Sequence, residues 1–319
     1  MTEIPDQIDA VVIGRNEGER LVACLRALRG QMRRVVYVDS GSTDGSVAQA
    51  RALGAEVVAL DMTRPFTAAR ARNAGLEALA ANPPEFVQLL DGDCEMVPGW
   101  PAAALAAFAE HPRAVVVCGR RRERFPQASV WNALADREWD SPVGPARACG
   151  GDALMRYAAV RAVGGYRDDL IAGEEPELCL RLRQAGGEVW RIAAEMVLHD
   201  AALTRFGQWW RRTRRAGHAF AEGAALHGAG PERHWVAETR RALFWGAGLP
   251  VLVLLAGLIH PAGWLLALAY PAQIVRLARR GGGTWAVYSV LGKFAEAQGA
   301  LGYWADRLRG RRRGLIEYK

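Results

Sequence analysis

Between residues 8 and 118 the chain alternates short β-branched apolar runs with helix-length segments. The runs are 10–13, 35–38, 57–60, 86–90 and 114–118. Each is apolar at successive positions, as expected of a strand covered on both faces. Residues 17–28 place Leu21, Val22, Leu25 and Leu28 on one helical stripe. Segments 46–53, 67–81 and 100–110 read as further helices, the last entered through Pro98 and Pro101. This alternation predicts an α/β fold: a mostly parallel sheet flanked by helices, with its ligand site at the carboxyl ends of the strands.

Past residue 119 the pattern changes. Arginine clusters appear, with Gly-Gly pairs at 150–151 and 164–165 and an acidic run, Glu174-Glu175-Pro176-Glu177, ahead of a helix at 178–183. Residues 205–215 interleave five arginines with Phe206, Trp209 and Trp210, the composition of a helix lying at a membrane interface. Residues 243–259 and 262–275 carry no charge and are separated by His260-Pro261. Each is shorter than the roughly 20 residues of a comfortable membrane span. They predict a short hairpin dipping into or crossing a bilayer, against the competing reading of a buried helical pair in a soluble domain. Arg240 and Arg241 precede it and Arg276, Arg279 and Arg280 follow it, which keeps both ends cytoplasmic by the positive-inside rule. The expected organisation is an α/β domain over 1–200 and basic aromatic helices over 201–241. The apolar hairpin over 242–278 and an amphipathic basic tail over 279–319 complete it, the last three segments forming a C-terminal helical, membrane-associated region.

The charge sharpens this division. The 319 residues carry a net charge of +7, and only Lys293 and Lys319 among the 41 basic residues are lysines. Residues 1–198 hold 23 basic and 27 acidic side chains (net −4), and residues 199–319 hold 18 and 7 (net +11). The basic character therefore belongs to the C-terminal part, where anionic lipid is the expected partner. A nucleic-acid-binding protein is the rival reading of so many arginines, but no zinc-ligand spacing, helix-turn-helix signature or aromatic RNA-binding motif is present. No nucleic-acid partner is expected. Cys24, Cys94, Cys118, Cys149 and Cys179 are odd in number, with no pair closer than 24 residues, so a reduced compartment is expected. The opening MTEIPDQIDA has no apolar stretch, and no secretory signal is expected.

Candidate chemistry follows the strands. Residues 35–38 run into Asp39-Ser40-Gly41-Ser42-Thr43-Asp44-Gly45. A carboxylate at a strand end can accept hydrogen bonds from a nucleoside, and glycines let the backbone approach a ligand; an Asx-turn opening the next helix is the plainer account. Residues 86–90 run into Asp91-Gly92-Asp93. In extended chain, positions i and i+2 point the same way, so both carboxylates could face one Mg²⁺ or Mn²⁺ that also bridges a diphosphate. Glu174 and Glu175 are the candidate catalytic carboxylates, Glu175 as the general base that would deprotonate an acceptor hydroxyl. Acidic residues in a first helical turn are also favoured by the helix dipole alone. His199, after the apolar 196–198, could complete the metal site, although a buried histidine is more often structural. A nicotinamide-dependent oxidoreductase shares the α/β pattern, but Gly14 and Gly18 do not form a GxGxxG.

Seven segments occur in order: 10–17 (AVVIGRNE), 38–45 (VDSGSTDG), 71–75 (ARNAG), 89–95 (LLDGDCE), 150–156 (GGDALMR), 163–166 (VGGY) and 173–181 (GEEPELCLR). In order and spacing they resemble glycosyltransferase family 2, over roughly residues 8–215. The resemblance implies a GT-A fold and an inverting transfer from a nucleotide-diphosphate sugar with Mg²⁺ or Mn²⁺. It implies donor-binding positions at Gly14, Arg15, Asn16, Glu17, Asp39, Ser40, Arg72, Asp91 and Gly151, metal ligands at Asp91 and Asp93, joined by His199, and a base at Glu175. Ser40 stands where the family usually has a second aspartate, and Glu175 where aspartate is usual. Together with the basic C-terminal part, this predicts a hydroxyl acceptor that is lipid-linked or an envelope glycan precursor, met at the cytoplasmic face of the membrane. A non-catalytic sugar-nucleotide binder is the alternative.

Overall fold

All five apolar runs are strands in a computed structural model that describes residues 7–311. The expectations for the first six residues and for the arginine-rich end at 312–319 lie outside the described residues. The chain divides into two units: residues 1–170 with 174–202, and residues 171–173 with 203–319.

The first unit runs β1 (Ile8–Gly14), α1 (Glu19–Leu28), β2 (Arg34–Asp39), α2 (Ser46–Ala52), β3 (Glu56–Ala59), α3 (Ala68–Ala78) and β4 (Phe86–Asp91). It continues with β5 (Cys94–Met96), α4 (Trp100–Glu110), β6 (Ala114–Glu123), α5 (Val130–Glu138), β7 (Gly144–Pro145) and β8 (Ala153–Arg156). α6 (Tyr157–Ala162), α7 (Glu174–Gln184) and β9 (Glu188–His199) complete it. One nine-stranded sheet has the order β3-β2-β1-β4-β8-β6-β9-β5, with β7 paired to β9. The sheet is mostly parallel, as expected, though mixed: β6 also runs parallel to β9. β1, β2, β3 and β4 are mutually parallel neighbours, but β8 lies antiparallel between β4 and β6, and β5 and β7 are antiparallel to β9. Strands as short as these three carry too few residues to show a period, which is why the sequence pattern misses them.

The core lies on both faces of the central strands, with Ile8, Val11, Val12, Val36, Leu89, Leu90, Val116 and Leu154 buried. Helix α3 sits on β1 so closely that a side chain on Gly75 would meet Val11 Cγ1 at 2.2 Å.

The second unit is helical: α8 (Phe206–His227), α9 (Val236–Leu243), α10 (Leu249–Ile259), α11 (Ala269–Gly281) and α12 (Gly283–Leu308). A π-helical turn at Phe244–Gly248 joins α9 to α10, giving one continuous helix, Val236–Ile259. A tighter 3₁₀ segment, Pro261–Leu268, leads to α11. α8 and α12 approach through glycine: a Cβ on Gly217 would meet Glu296 O, and one on Gly299 would meet Arg214 O, each at 2.0 Å. A Cβ on Gly246 would meet Lys293 O at the same distance. Two of the three aromatic rings expected at headgroup depth serve this packing instead. Trp209 is buried, with Tyr288 at 5.0 Å between ring centres, and Trp210 donates its indole N–H to Gln298 Oε1 at 2.9 Å.

Alanine improves helix propensity over glycine by about 1 kcal/mol, yet Gly75→Ala should still destabilise. The 2.2 Å overlap falls on a fully buried Val11, and overpacking of this kind costs about 1–3 kcal/mol. The expected result is a lower melting temperature by calorimetry; a melting temperature equal to or above the parent's would show that α3 can lift off β1 without loss.

Candidate active site

Strand register brings the first group of predicted residues together. Ile13 is paired with both Val38 and Asp91, and Gly14 with Asp39, so two carboxylates end adjacent parallel strands on either side of β1. The Asp39 side chain is buried. Its Oδ2 accepts from the N–H groups of Gly41 and Ser42, each at 3.0 Å, and its Oδ1 accepts from Tyr37 Oη at 3.1 Å. This is the Asx-turn geometry, and it fixes the loop after β2.

The loop after β1 is stitched to it. The Asn16 N–H donates to Ser42 Oγ at 2.9 Å, and the Thr43 N–H donates to Asn16 Oδ1 at 2.7 Å. Asn16 has a φ of 55°, a left-handed conformation that asparagine tolerates better than most residues. Arg15 projects from this loop, exposed, and Glu17 pairs with Arg20 at 2.8 Å. Gly14 is hemmed in by Glu17 and Tyr37. The Ser40 N–H donates to Gly14 O at 3.0 Å, while its buried hydroxyl has no hydrogen-bond partner among the described residues.

The second group gathers on one guanidinium. Arg72, on α3, is 3% exposed in its side chain. Its Nη2 donates to Asp91 Oδ1 at 2.8 Å, and its Nη1 lies 3.0 Å from Glu174 Oε1 and 2.9 Å from Glu175 Oε1. Its Cζ is 5.6 Å from the centre of the Tyr166 ring. Glu174 and Glu175 are in the first turn of α7, where exposed peptide N–H groups favour negative charge. Burial, and then the like charge of Glu174, push the Glu175 carboxyl up to about 7, against the opposing pull of Arg72. Gly151 fits only without a side chain: a Cβ there would lie 2.7 Å from Asp91 Oδ2 and 2.9 Å from Arg72 Nη2.

Asp91 and Asp93 do not share one direction. Asp91 ends β4, but Gly92 and Asp93 form a turn before β5 rather than continuing the strand, so the i, i+2 alignment of an extended chain does not apply. Asp91 faces Arg72 and also Arg121, whose Nη2 is 3.6 Å away. Asp93, buried, faces His199, with Oδ2 3.3 Å from Nε2. The pairing of β5 with β9 accounts for this, since Cys94 is opposite His199.

Burial, and then the nearby Arg121 cation, hold the His199 imidazole below its ordinary pKa. It is therefore neutral at pH 7, with Trp139 edge-on at 4.8 Å. A hard carboxylate oxygen beside a neutral imidazole nitrogen is a donor set that suits a divalent cation completed by phosphate oxygens and water. Asp93, Cys94 and His199 bring a ligand atom each within 4.8 Å of one another. Asp91, held between two guanidiniums, brings a carboxylate oxygen within 4.8 Å of ligand atoms of Cys94 and Asp152, a second group of this kind.

Four residues of the site escape sequence reasoning. Arg121 Nη1 is 2.7 Å from Asp152 Oδ2, and its Cζ lies 4.8 Å from the Trp139 ring centre. Irregular pairing of β6 with β9 around Arg120 re-aims this part of the strand, and nothing in the arginine run 120–122 marks the middle one. Asp152, fully buried, accepts the Asp91 N–H at 3.1 Å; its signal was its place beside Gly151. Tyr166 closes the 163–166 segment (VGGY), which marked it without a role, and Trp139 carries no sequence signal beyond aromatic character. A cleft of about 240 Å³ next to Asp93 is lined by Arg20, Glu95, Arg124, Phe125 and Asp200 among others.

Residues 9–148 match the family model for glycosyl transferase family 2. This stretch, most of the α/β unit, is thus a glycosyl transferase family 2 domain. The chain is 28% identical over 232 residues to the pre-mycofactocin glycosyltransferase of Mycobacterium tuberculosis, covering 69% of this chain and 48% of that one. It is 31% identical over 196 residues to the succinoglycan biosynthesis protein ExoA of Rhizobium meliloti, covering 55% and 57%. The chain thus spans about half the length of these curated relatives. Among solved structures it is similar to the mannosyltransferase PcManGT of Pyrobaculum calidifontis in complex with GDP-Man and Mn²⁺. The TM-score is 0.64 at 21% identity over 92% of this chain and 87% of that one. It is also similar to S. aureus TarS 1–349 in complex with UDP-GlcNAc, with a TM-score of 0.52 at 14% identity, covering 96% and 92%. At these identities the likeness concerns the fold, which is of the GT-A type.

Arg72→Met should destabilise the protein by about 3–5 kcal/mol at pH 7, because it strands Asp91, Glu174 and Glu175 without their shared cation. Without that cation the carboxyls hold protons more tightly in the folded chain than in the unfolded one. The deficit should therefore shrink as pH falls from 7 to 5. Urea unfolding at the two pH values measures it; a deficit independent of pH would remove Arg72 from its place as the charge balance.

Proposed function

We propose that the chain is an inverting glycosyltransferase that moves a sugar from a nucleotide-diphosphate donor to a hydroxyl of a membrane-presented acceptor. The observation that carries this reading is Glu175: a carboxylate on the Arg72–Asp91 cluster, 13% exposed, with its pKa raised to about 7. A base is most effective when its pKa lies near the working pH. Glu175 would take the proton of the acceptor hydroxyl as that oxygen bonds to the anomeric carbon. The bond from that carbon to the diphosphate oxygen breaks on the opposite face, and the electron pair leaves with the diphosphate.

Asp39 and the stitched loops of Asn16 and Ser42 would receive the nucleoside, and the exposed Arg15 the diphosphate charge. Arg72 and Asp91, held in place by Gly151 and Asp152, would orient the sugar hydroxyls. Asp93 and His199 would hold Mg²⁺ or Mn²⁺, which when bound offsets the negative charge of the departing diphosphate. Mn²⁺ in the PcManGT complex supports this reading.

For the acceptor, the relative in succinoglycan biosynthesis supports an envelope glycan precursor. The long apolar helix of the second unit supports a lipid-linked one, met at the cytoplasmic face. The basic residues flanking the hairpin favour an anionic membrane surface.

Glu175→Gln should lower transfer by roughly 10²–10⁴-fold while leaving donor affinity within a few-fold of the parent. Undiminished turnover would remove Glu175 as the base. In the parent, kcat/KM should rise with pH up to about 7 and then level, because the base must be ionised. Glu174→Gln removes the like charge and should move that rise to lower pH. In calorimetry, Asp93→Asn should weaken Mn²⁺-dependent nucleotide binding more than Asp39→Ala does; an equal metal response in Asp93→Asn and parent would remove the metal assignment.

A further inference from the structure

The helical unit contains a closed apolar loop whose dimensions can be read from its own contacts. Helix Val236–Ile259 is long and apolar enough to cross a bilayer, with only 17% of its apolar window buried. It does not continue in one direction. His260 is extended, and its ring nitrogen accepts from the Ala262 N–H at 3.2 Å. The 3₁₀ segment Pro261–Leu268 then folds back along α10. The Trp264 ring occupies the space a side chain on Gly257 would fill, and Gly263 lies against the Ala256 backbone.

The loop closes at its other end, where Tyr270 Oη donates to Trp245 O at 2.7 Å. From Trp245 to Ile259 an α-helix rises roughly 21 Å at 1.5 Å per residue. From Pro261 back to Tyr270 the tighter helix covers roughly 18 Å at 2.0 Å per residue. The two limbs match, so the chain returns to the level from which it left.

The surface of this loop is graded. Leu258 and Ile259, at the turn, are 72% and 85% exposed, and Leu252, Leu255, Leu265 and Leu268 along the limbs are exposed as well. At the closed end stand Trp245 and Tyr270, and just beyond them the exposed Arg240, Arg241, Arg276, Arg279 and Arg280. Although the whole helix is long enough to cross, the part beyond the level of Trp245 and Tyr270 rises only roughly 21 Å, short of a hydrocarbon core of about 30 Å. It fits one leaflet, with the aromatic pair at headgroup depth and the arginines among anionic lipid headgroups.

We infer that residues 245–270 form a re-entrant hairpin that enters a single leaflet of an anionic bilayer and leaves on the side it entered. The inference rests on the membrane-facing part of the proposed function. It adds that the segment does not span, and that its occupant is the acyl region of one leaflet below anionic headgroups rather than a protein partner.

The test uses the full chain added to preformed sealed vesicles. All five native thiols are buried, so single introduced cysteines can be read by bilayer-impermeant maleimides, supplied outside or trapped inside. Glu238→Cys and Gly283→Cys should both react only with the outer reagent, and Leu258→Cys with neither. Reaction of Leu258→Cys with the inner reagent, or of Gly283→Cys from inside, would overturn re-entry in favour of a span while leaving membrane association standing.

Co-flotation should be at least roughly tenfold greater with phosphatidylglycerol-containing than with pure phosphatidylcholine vesicles, from several arginines each worth about a factor of five. Equal flotation would overturn the anionic headgroup assignment. The double variant Leu258→Asp with Ile259→Asp should lose flotation yet keep the parent's circular dichroism, since both side chains lie outside the packed unit. Failure of the parent to float with any vesicle would defeat the membrane reading itself, and retained flotation of the double variant would defeat the hairpin as its anchor.

Discussion

The α/β unit depends on one buried cation. Arg72 is almost fully enclosed and lies within 3.0 Å of carboxylate oxygens from β4 and from the first turn of α7. Three acids within reach of one guanidinium leave a net negative charge where water reaches Asp91 but screens the two glutamates poorly. The structure relieves this in two ways. Arg121 supplies a second cation to Asp91 and Asp152, and Glu175 keeps a proton to a higher pH than a carboxyl in water would. The raised pKa of Glu175 thus follows from an unbalanced charge count rather than from Glu175 alone. Any ligand that brings further negative charge into the cluster must bring, or find, a compensating cation.

Much of this arrangement was legible in the sequence because strand ends are legible. Asp39 and Asp91 follow apolar runs, and parallel register alone sets them on either side of Ile13 and Gly14. His199 was readable only as a residue after a strand; its contact with Asp93 comes from the antiparallel pairing of a three-residue strand that no periodicity reveals. Arg121 is the sharper failure. It is one of three consecutive arginines, and only the irregular stretch of β6 decides which of them meets Asp91 and Asp152. The assumption that Asp91 and Asp93 align failed for a local reason, a turn beginning at Gly92 where extended chain was expected.

In the helical unit, composition gave the apolar character of 243–275 but not its path. The absence of charge in two runs allowed a crossing pair, a dipping hairpin or a buried pair. The exposed side chains along both limbs argue against the last, and the closure of Tyr270 on Trp245 depends on a 3₁₀ segment whose tighter rise no hydrophobic pattern announces. The aromatic residues divided in a way composition could not specify: Trp209 and Trp210 went into the packing of α8 on α12, while Trp245 and Tyr270 stayed at the base of the hairpin.

The glycines between α8 and α12 have a further consequence. Gly217, Gly299 and Gly246 bring helix backbones into direct van der Waals contact. Adhesion of that kind arises from close fit between main chains and owes little to the expulsion of water, which is the force that a lipid environment abolishes. A scaffold held this way is indifferent to its surroundings: it can be translated as a rigid piece from aqueous solution to a fatty phase without changing the terms on which its helices cohere.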